Sequence, residues 1–372
     1  MIKKPMPARS PEPDVSDAIP APAHAAARFA LPGPVTDVRP FGGGHVNVTF
    51  AVTTATGARF VLQQVNRRAF AAPEQVMANI LTVTRHLASK TDDPRAALRL
   101  VPTRAGDWWH TDEGDQVWRC YDFVEGATSP PAPLTPDTFR LVGAAFGDFL
   151  VRLDDLPAES LHTTIPHFHD EPRYVARLKA VVAADPCGRA DGVRPEIARA
   201  LSYEGVSHDF DAPGLMPLRV THNDAKVANL LVDAVSGAPL AVVDLDTVQP
   251  GYAVNDFGDA IRSGATTAPE DEPDPAKVRF VPELFEAFAA GYLGACGDVL
   301  QPSEIAHLRH GARIMTLETT LRFLIDYLEG DVYYAQERPG QNLDRARNQG
   351  ALLDDLDAHW DEMGRIIDRL TR

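Results

Sequence analysis

The sequence predicts an α+β fold of two lobes, with a small β-rich N-terminal lobe and a larger, mainly helical C-terminal lobe. Three observations support this prediction. Short runs rich in β-branched residues, bounded by glycine or polar turns, are concentrated before residue 127. After residue 136, apolar residues recur mostly at helical spacing. The proline-rich stretch 128–136 separates the two parts. We therefore expect a tail at 1–27, an N-terminal lobe at 28–127 and a C-terminal lobe at 128–372.

The composition is that of a globular protein with a sizeable core. The chain has 372 residues, of which 44% are hydrophobic, and a formal net charge of −16. Such an acidic chain is not expected to bind nucleic acid. No apolar run approaches the roughly 18 residues of a membrane span, so no membrane association is expected. Three widely spaced cysteines favour free thiols and a cytoplasmic location. We expect a monomer or weak dimer.

Residues 1–27 are rich in proline and alanine. The two lysines near the start are not followed by the apolar segment of a signal peptide. A segment of this composition buries too little apolar surface to offset the entropy of ordering it. We therefore expect a disordered tail.

The first strand pair flanks a glycine-rich turn. Gly42, Gly43 and Gly44 are followed by His45 and Val46. Glycine lets backbone N–H groups approach phosphates, but a plain β-hairpin turn also uses glycine. The motif further along the chain favours a nucleotide-covering hairpin. His45 is either a solvated turn residue or a group near the substrate or the phosphates.

Three more elements complete the predicted N-terminal lobe. A third strand is expected at Phe60–Asn66, after a glycine turn. Helical spacing predicts a helix over Pro73–Lys90, with the proline in its first turn. The apolar run at Trp118–Gly126 is expected to form a last strand that leads into the C-terminal lobe.

A polar loop and a short hairpin occupy Thr221–Asp246. The pattern predicts strands at Leu230–Val232 and Leu240–Val243, with a turn between them at Ser236–Pro239. The interior of the hairpin is aliphatic and its two ends are polar. A hairpin that only built core would not need so many polar side chains beside it.

The loop has the spacing of a kinase catalytic loop. His222, Asn223 and Asp224 are followed by four residues and then by Asn229, as in the His-x-Asp-x4-Asn pattern. In that pattern the aspartate orients the acceptor hydroxyl and takes its proton. Asp224 is thus the candidate base, and Lys226 is placed to touch the transferring phosphate.

The same segment supplies candidate ligands for Mg²⁺. Asn229 offers an amide oxygen, Asp244 ends the next strand, and Asp246 lies two residues further on. Asp and Asn are also common in turns and caps, and any one of them alone would be assigned that role. Their joint pattern, with strands in the right places, favours a metal site.

Asp256-Phe257-Gly258 repeats the metal-binding triplet of protein kinases. It lies too far from Asn229, and Asp244 already ends the hairpin strand. We interpret Asp256 as a structural residue that accepts hydrogen bonds from the catalytic-loop backbone.

By the kinase pattern, the nucleotide lies against the N-terminal lobe. Gln63 stands on the third strand where kinases place a lysine that grips the phosphates. A glutamine donates hydrogen bonds but carries no charge. The adenine edge is expected to meet the backbone near three residues of the last strand, namely Tyr121, Phe123 and Val124.

The remainder of the chain predicts helices. Phe139–Leu153 and Ile305–Leu328 have helical spacing, and Leu352–Ile367 has the pattern of a terminal amphipathic helix. Glu318 and Arg322 are spaced for an ion pair on the long helix. His167 and His169 precede an acid, but no third ligand has a suitable spacing. A structured loop without metal is therefore favoured there.

The catalytic loop and the strand end at Asp244 resemble those of the aminoglycoside phosphotransferase and choline kinase superfamily. Within it, the chain resembles bacterial N-acetylhexosamine 1-kinases from about residue 30 onward. The resemblance rests on short segments spread over both lobes: Gly43–Asn47, Leu62–Asn66, Val76–Ile80, His222–Lys226, Asp244–Thr247, Asp256–Arg262, Leu321–Tyr327 and Gly330–Tyr334.

This resemblance implies a protein-kinase-like fold and phosphorylation of the anomeric hydroxyl of an N-acetylhexosamine, with ATP and Mg²⁺. It also accounts for a glutamine at position 63. Five residues are assigned to the substrate: His45, Asn223, Arg262, Arg322 and Asp326. The chain departs from the family at Ser263, where an aromatic residue is expected. A kinase for aminoglycosides, amino alcohols or other sugars and a catalytically inactive nucleotide-binding protein remain the alternatives.

Overall fold

A five-stranded antiparallel sheet forms the base of the N-terminal part. The structure is a computed structural model that describes residues 21–42, 46–207 and 214–372. The strands are arranged in the order β1-β2-β3-β5-β4. Their bounds are β1 (Val35–Pro40), β2 (Val48–Thr54), β3 (Arg59–Val65), β4 (His110–Thr111) and β5 (Val117–Asp122). All the strands predicted for this lobe are present, displaced by a few residues at most.

The register of this sheet brings the central polar side chains together. Gln63 on β3 lies opposite Thr49 on β2 and opposite Arg119 on β5. Successive residues of a strand point to opposite faces, so paired residues on neighbouring strands share a face. Helix α2 (Pro73–Ala88) follows β3 and buries the apolar stripe Val76, Ile80 and Val83.

Two small sheets carry the polar loop of the C-terminal part. β7 (Arg219–Thr221) pairs with β10 (Gln249–Gly251), and β6 (Ala127–Thr128), β8 (Leu230–Asp233) and β9 (Pro239–Val242) form the second sheet. The predicted hairpin is therefore confirmed to within a residue. The catalytic loop lies between β7 and β8, and Asp244 follows β9.

Helices build the rest of the molecule and its largest core. They are α3 (Pro136–Leu153), α4 (Glu171–Ala184), α5 (Arg194–Ser202), α6 (Ala253–Gly264), α7 (Pro282–Cys296), α8 (Pro302–Glu329), α9 (Gln341–Ala358) and α10 (Trp360–Leu370). Together with the N-terminal sheet they confirm the predicted α+β, protein-kinase-like architecture. Within the described ranges, none of the helices is long and apolar enough to cross a membrane.

Sequence signals explain where these helices start, stop and pack. α3 begins after Thr135, whose side chain accepts a hydrogen bond from the Thr138 N–H. α8 has a capping box at its start and ends at Gly330 in the left-handed region, with φ 101°. α6 and α8 touch through Gly258 and Gly311, since a Cβ on Gly258 would lie 2.2 Å from the Gly311 carbonyl oxygen.

Two predictions about the ends of the chain need correction. Ala21–Ala26, assigned to a disordered tail, form α1, and Ala25 and Ala26 pack against the N-terminal sheet. The single terminal helix is two helices, because the chain breaks at His359, with φ −103° and ψ 12°. Residues 1–20 lie outside the described residues.

Candidate active site

The catalytic loop places a carboxylate, an ammonium and an amide in mutual contact. Asp224 Oδ2 accepts hydrogen bonds from Lys226 Nζ at 2.8 Å and from Asn229 Nδ2 at 3.0 Å. Asn229 Nδ2 also donates to the Asp224 carbonyl oxygen at 2.8 Å. These three predicted residues therefore meet at one point and line a cleft of about 2160 Å³ between the two parts of the molecule.

Buried polar groups hold the loop in this shape. Asp256 Oδ2 accepts from the His222 N–H at 2.8 Å, and its Oδ1 accepts from the Asn223 N–H at 2.6 Å. His222 Nδ1 accepts from the Asp224 N–H, so its Nε2 carries the proton and donates to the Val243 carbonyl at 2.9 Å. The interpretation of Asp256 as a structural acceptor for the loop backbone is confirmed.

Electrostatics keep the candidate base ionised. Burial raises the pKa of Asp224, but the Lys226 ammonium and the Asn229 hydrogen bond outweigh it, so this pKa lies below its ordinary value. Burial lowers the pKa of Lys226, and the Asp224 charge raises it by more. At neutral pH the two side chains therefore form a carboxylate–ammonium pair.

Asp244 and Asn229 fit a hard divalent cation. Asp244 has left-handed backbone dihedrals, with φ 61° and ψ 55°. Its side chain is open to the cleft on one side and is surrounded by protein on the others. Burial and the nearby charges of Asp246 and Asp224 raise the pKa of Asp244 to about 7. A cation beside it would relieve that repulsion, and carboxylate and amide oxygens suit Mg²⁺. The Asn229 amide oxygen is turned away from Asp224, since its nitrogen makes both contacts there.

The cation would need further ligands from elsewhere. In the part of the chain that the structure describes, no group of three or more His, Cys, Asp and Glu side chains is arranged to hold a metal ion. Phosphate oxygens and water commonly complete the coordination of Mg²⁺ in phosphotransferases. Asn229 and Asp244 would therefore supply the protein ligands of such a site.

Asp246 accepts hydrogen bonds from other side chains, which corrects its predicted role as a metal ligand. Its carboxylate receives both terminal nitrogens of Arg119, each at 2.6 Å, and Asn47 Nδ2 at 3.0 Å. The pair is almost completely buried, with side-chain exposures of 1% for Arg119 and 4% for Asp246. Asp246 thus joins the C-terminal part to strand β5 and to Asn47, the residue just before β2, and both of its oxygens are occupied.

Gln63 takes part in the same cluster. Its Oε1 accepts from Arg119 Nε at 2.9 Å, and its Nε2 donates to Thr49 Oγ1 at 3.1 Å. A positive charge is therefore present in this region, but it lies on β5 rather than on β3. Six predicted nucleotide contacts line this side of the cleft: Gly42, Val46, Gln63, Tyr121, Phe123 and Val124. Gly43, Gly44 and His45 lie outside the described residues.

The opposite side of the cleft contains two of the predicted substrate residues. Arg262 binds Asp259 Oδ1 through Nε at 2.9 Å and Glu270 Oε2 through Nη1 at 2.5 Å. Arg322 lies 3.4 Å from Glu318. Its guanidinium carbon is 5.6 Å from the centre of the Phe168 ring and 5.7 Å from that of Tyr334. Both arginines line the cleft, and carboxylates balance their charges.

The other two described substrate candidates have structural roles instead. Asp326 accepts the N–H groups of Val332, Tyr333 and Tyr334 at 2.8–3.0 Å, and its Oδ2 also receives Asn342 Nδ2 at 2.8 Å. This carboxylate shapes the loop after α8.

The Asn223 side chain is also used inside the protein. Its amide donates to the carbonyl oxygens of Thr221, Thr247 and Gln249, and its Oδ1 accepts from Thr221 Oγ1. Assigning Asn223 and Asp326 to direct substrate contact is therefore not supported, because internal donors and acceptors occupy both side chains.

Sequence reasoning missed two buried residues next to the site. Arg119 lies inside an apolar strand, and a charge in such a strand signals a buried partner. His169 was weighed only as a metal ligand, and its partners lie 54 and 149 positions away in the chain. Short-range spacing gives no signal for contacts of that kind.

The catalytic loop, the strand-end carboxylate and the cleft together define a phosphotransferase site. Residues 37–302 match the phosphotransferase enzyme family (APH). The chain belongs to this family.

Solved structures show the same fold at low sequence identity. A microcompartment-associated aminopropanol kinase has a TM-score of 0.60 and 18% identity, over 92% of this chain and 97% of that one. An aminoglycoside phosphotransferase from Alicyclobacillus acidocaldarius has a TM-score of 0.62 and 13% identity, over 95% of this chain and 98% of that one. An amicoumacin kinase in complex with AMP-PNP and Ca²⁺ has a TM-score of 0.58 and 12% identity, over 88% and 91%.

Proposed function

We propose that the protein is an ATP- and Mg²⁺-dependent kinase that phosphorylates the anomeric hydroxyl of an N-acetylhexosamine or a related hexose. Membership of the family supports phosphoryl transfer to a small molecule. One fold neighbour was solved with a nucleoside triphosphate analogue and a divalent cation. The choice of a neutral sugar rests on the sequence resemblance and on the charge balance of the acceptor side.

The side of the cleft that Arg262 and Arg322 line is called the acceptor wall below. The pairing of charges on this wall is the observation that carries the proposal. Arg262 is paired with Asp259 and Glu270, and Arg322 is paired with Glu318. A polycationic aminoglycoside requires unpaired carboxylates, and each of these three carboxylates is already paired with an arginine. Neutral hydroxyl and carbonyl groups bind well to fixed guanidinium donors.

The aromatic rings of the same wall argue against a quaternary ammonium acceptor. Such cations bind over aromatic faces. The Phe168 and Tyr334 rings already have the Arg322 guanidinium beside them, so a second cation there would be repelled. Ser263 also lines the cleft and leaves space beside the acceptor, which favours a tolerant sugar pocket.

In the proposed reaction, Asp224 accepts a hydrogen bond from the sugar hydroxyl and takes its proton as the hydroxyl oxygen attacks the γ-phosphorus of ATP. The bond from the γ-phosphorus to the β,γ-bridging oxygen breaks, and ADP leaves with that oxygen. Lys226 leaves Asp224 and binds the transferring phosphoryl group. Asn229 and Asp244 would hold the cation, which would neutralise charge on the phosphates. The backbone near Tyr121, Phe123 and Val124 receives the adenine edge.

The test is a panel of acceptors with ATP and Mg²⁺, followed by phosphorus NMR of the products. N-acetylglucosamine, N-acetylgalactosamine, other hexoses, kanamycin, choline and aminopropanol cover the alternatives. We expect an anomeric sugar phosphate. Faster turnover of kanamycin or an amino alcohol, or phosphate on another sugar hydroxyl, would contradict the proposed acceptor but not the family assignment. Absence of turnover on the whole panel would favour the nucleotide-binding alternative.

A further inference from the structure

His169 is buried between the acceptor wall and the catalytic loop. Its side chain is 4% exposed. Nδ1 lies 3.0 Å from Glu318 Oε2 on α8, and Nε2 lies 3.2 Å from the carbonyl oxygen of Asn223. The Phe168 ring stacks on the imidazole at a centroid distance of 4.0 Å. The candidate mechanism gives this residue no role.

The two partners determine the protonation of the ring. A carboxylate and a backbone carbonyl are both acceptors, so each ring nitrogen has to donate. A neutral histidine has one N–H and satisfies only one of them. The geometry therefore requires the doubly protonated imidazolium.

The surrounding charges agree with that form. Burial lowers the pKa of His169, but Glu318 and Asp259 raise it by more, although Arg322 opposes them, so the pKa lies above its ordinary value. The charged groups that face the ring are Glu318 and Arg322 from α8, and Asp256 and Asp259 from α6. Three of these four are acidic.

The Asn223 carbonyl belongs to the peptide that precedes the candidate base. A peptide unit is planar, so its C=O and the following N–H move together. The N–H of this unit, on Asp224, donates to His222 Nδ1 at 3.2 Å. His169 thus holds one end of the peptide and His222 holds the other. Asn223 itself has a left-handed φ of 61°, a conformation that needs such support.

We propose that the imidazolium of His169 is a positioning residue, which fixes the Asn223–Asp224 peptide to α8 and so aligns the catalytic base. Glu318, the carboxylate partner of His169, also lies 3.4 Å from Arg322. His169 and Glu318 therefore connect the catalytic loop to the acceptor wall. Loss of the ring proton would remove one of the two hydrogen bonds and loosen the loop.

The test compares His169→Gln with His167→Gln. His167 lies in the same loop, also has a positive φ of 60°, but is 54% exposed and contacts Asp170. Assayed with the best acceptor of the panel, His169→Gln is expected to lower kcat by about 10- to 100-fold, the order expected for a displaced catalytic group. ADP affinity by calorimetry should stay unchanged, and His167→Gln should behave as wild type.

The pH profile separates positioning from a merely structural role. The imidazolium is present below the pKa of His169, so wild-type kcat should fall as pH rises through that value. His169→Gln should lack this alkaline limb. The effects of Glu318→Gln and His169→Gln on kcat should be non-additive in the double variant, since both substitutions remove the same contact. Equal effects of the two histidine variants, or an unchanged pH profile, would overturn the proposal.

A measurement on the unmodified protein covers the case of a variant that fails to fold. Long-range proton–nitrogen NMR of ¹⁵N-histidine protein reports the protonation of each ring, without any acceptor. We expect a ring with both nitrogens protonated at neutral pH in the spectrum of the unmodified protein. Where His169→Gln or His169→Asn folds, that ring should be absent from the spectrum of the variant. If every ring is neutral there, the proposal is wrong, whatever sugar the enzyme uses.

Discussion

The two walls of the cleft are built in different ways. On the catalytic wall, Asp224, Lys226 and Asn229 lie within one short loop. Lys226 and Asn229 both donate hydrogen bonds to the Asp224 carboxylate. On the acceptor wall, short-range ion pairs of Arg262 and Arg322 are combined with contacts between distant parts of the chain, such as His169 with Glu318 and Arg262 with Gln349. The candidate catalytic residues are thus close together in the sequence, whereas the opposite wall of the cleft also depends on how the helices pack.

The largest expected effect is on the catalytic wall. Asp224→Asn should lower kcat by roughly 10²- to 10⁴-fold, because the amide cannot take the proton of the acceptor. ADP affinity should remain near that of wild type, since the carboxylate meets the acceptor and not the nucleotide. Asp191→Asn, at an 87% exposed position, is the control. Retention of more than about a tenth of wild-type kcat, far inside that range, would exclude Asp224 as the base.

The ion pair between the lobes should matter for stability. Arg119→Met leaves Asp246 buried without its partner, and breaking such a pair costs about 3–5 kcal/mol. Arg59→Met removes the exposed pair with Glu125 in the same sheet, where a loss of about 1 kcal/mol or less is expected. Urea unfolding of both variants measures the difference. Similar losses would mean that the buried pair does not join the two parts of the molecule as described.

Two aspartates near the loop should give opposite results. Asp256→Ala removes the acceptor of two buried N–H groups, at about 1–3 kcal/mol each, and should lower the melting temperature. Asp244→Ala should leave stability near wild type, because its side chain is open to the cleft, and should abolish the response of activity to Mg²⁺. Thermal melts and magnesium titrations decide between the roles. A stable Asp256→Ala protein that no longer responds to magnesium would reverse the assignment.

The same contrast explains what sequence reasoning was able to predict. The strands predicted for the N-terminal sheet, the hairpin and helices α2, α3 and α8 depend on local periodicity and turn residues, and their predicted bounds are close to those observed. No bounds were predicted for α4 to α7. The contact between Asp256 and the loop was inferred because Asp244 already ended the hairpin strand. Asp246 was misassigned because its partner, Arg119, lies 127 positions earlier in the chain. No spacing rule connects a strand of one lobe with a carboxylate of the other.

The acceptor wall shows a second limit of sequence reasoning. Asp326 was assigned to the sugar because it lies in a segment shared with sugar kinases. The structure gives its carboxylate four donors, three of them backbone N–H groups of the loop after α8. A shared motif identifies a segment that matters, but it does not distinguish a contact with substrate from support of the loop that makes the contact.

The smallest expected effect tests this distinction. Asp326→Asn retains the shape of the side chain, but it replaces one accepting oxygen by an NH2 group. That group cannot accept the hydrogen bonds of the donors that face it. We expect a loss of about 1–3 kcal/mol in unfolding free energy. The KM for the acceptor should rise, because Tyr333 and Tyr334 line the cleft from the loop that Asp326 holds, and kcat should change little. The matched variant Tyr334→Phe keeps the ring and should affect the acceptor KM without lowering stability. If Asp326→Asn instead leaves the unfolding free energy unchanged and abolishes acceptor binding, Asp326 contacts the sugar directly and the role assigned here to its carboxylate is wrong.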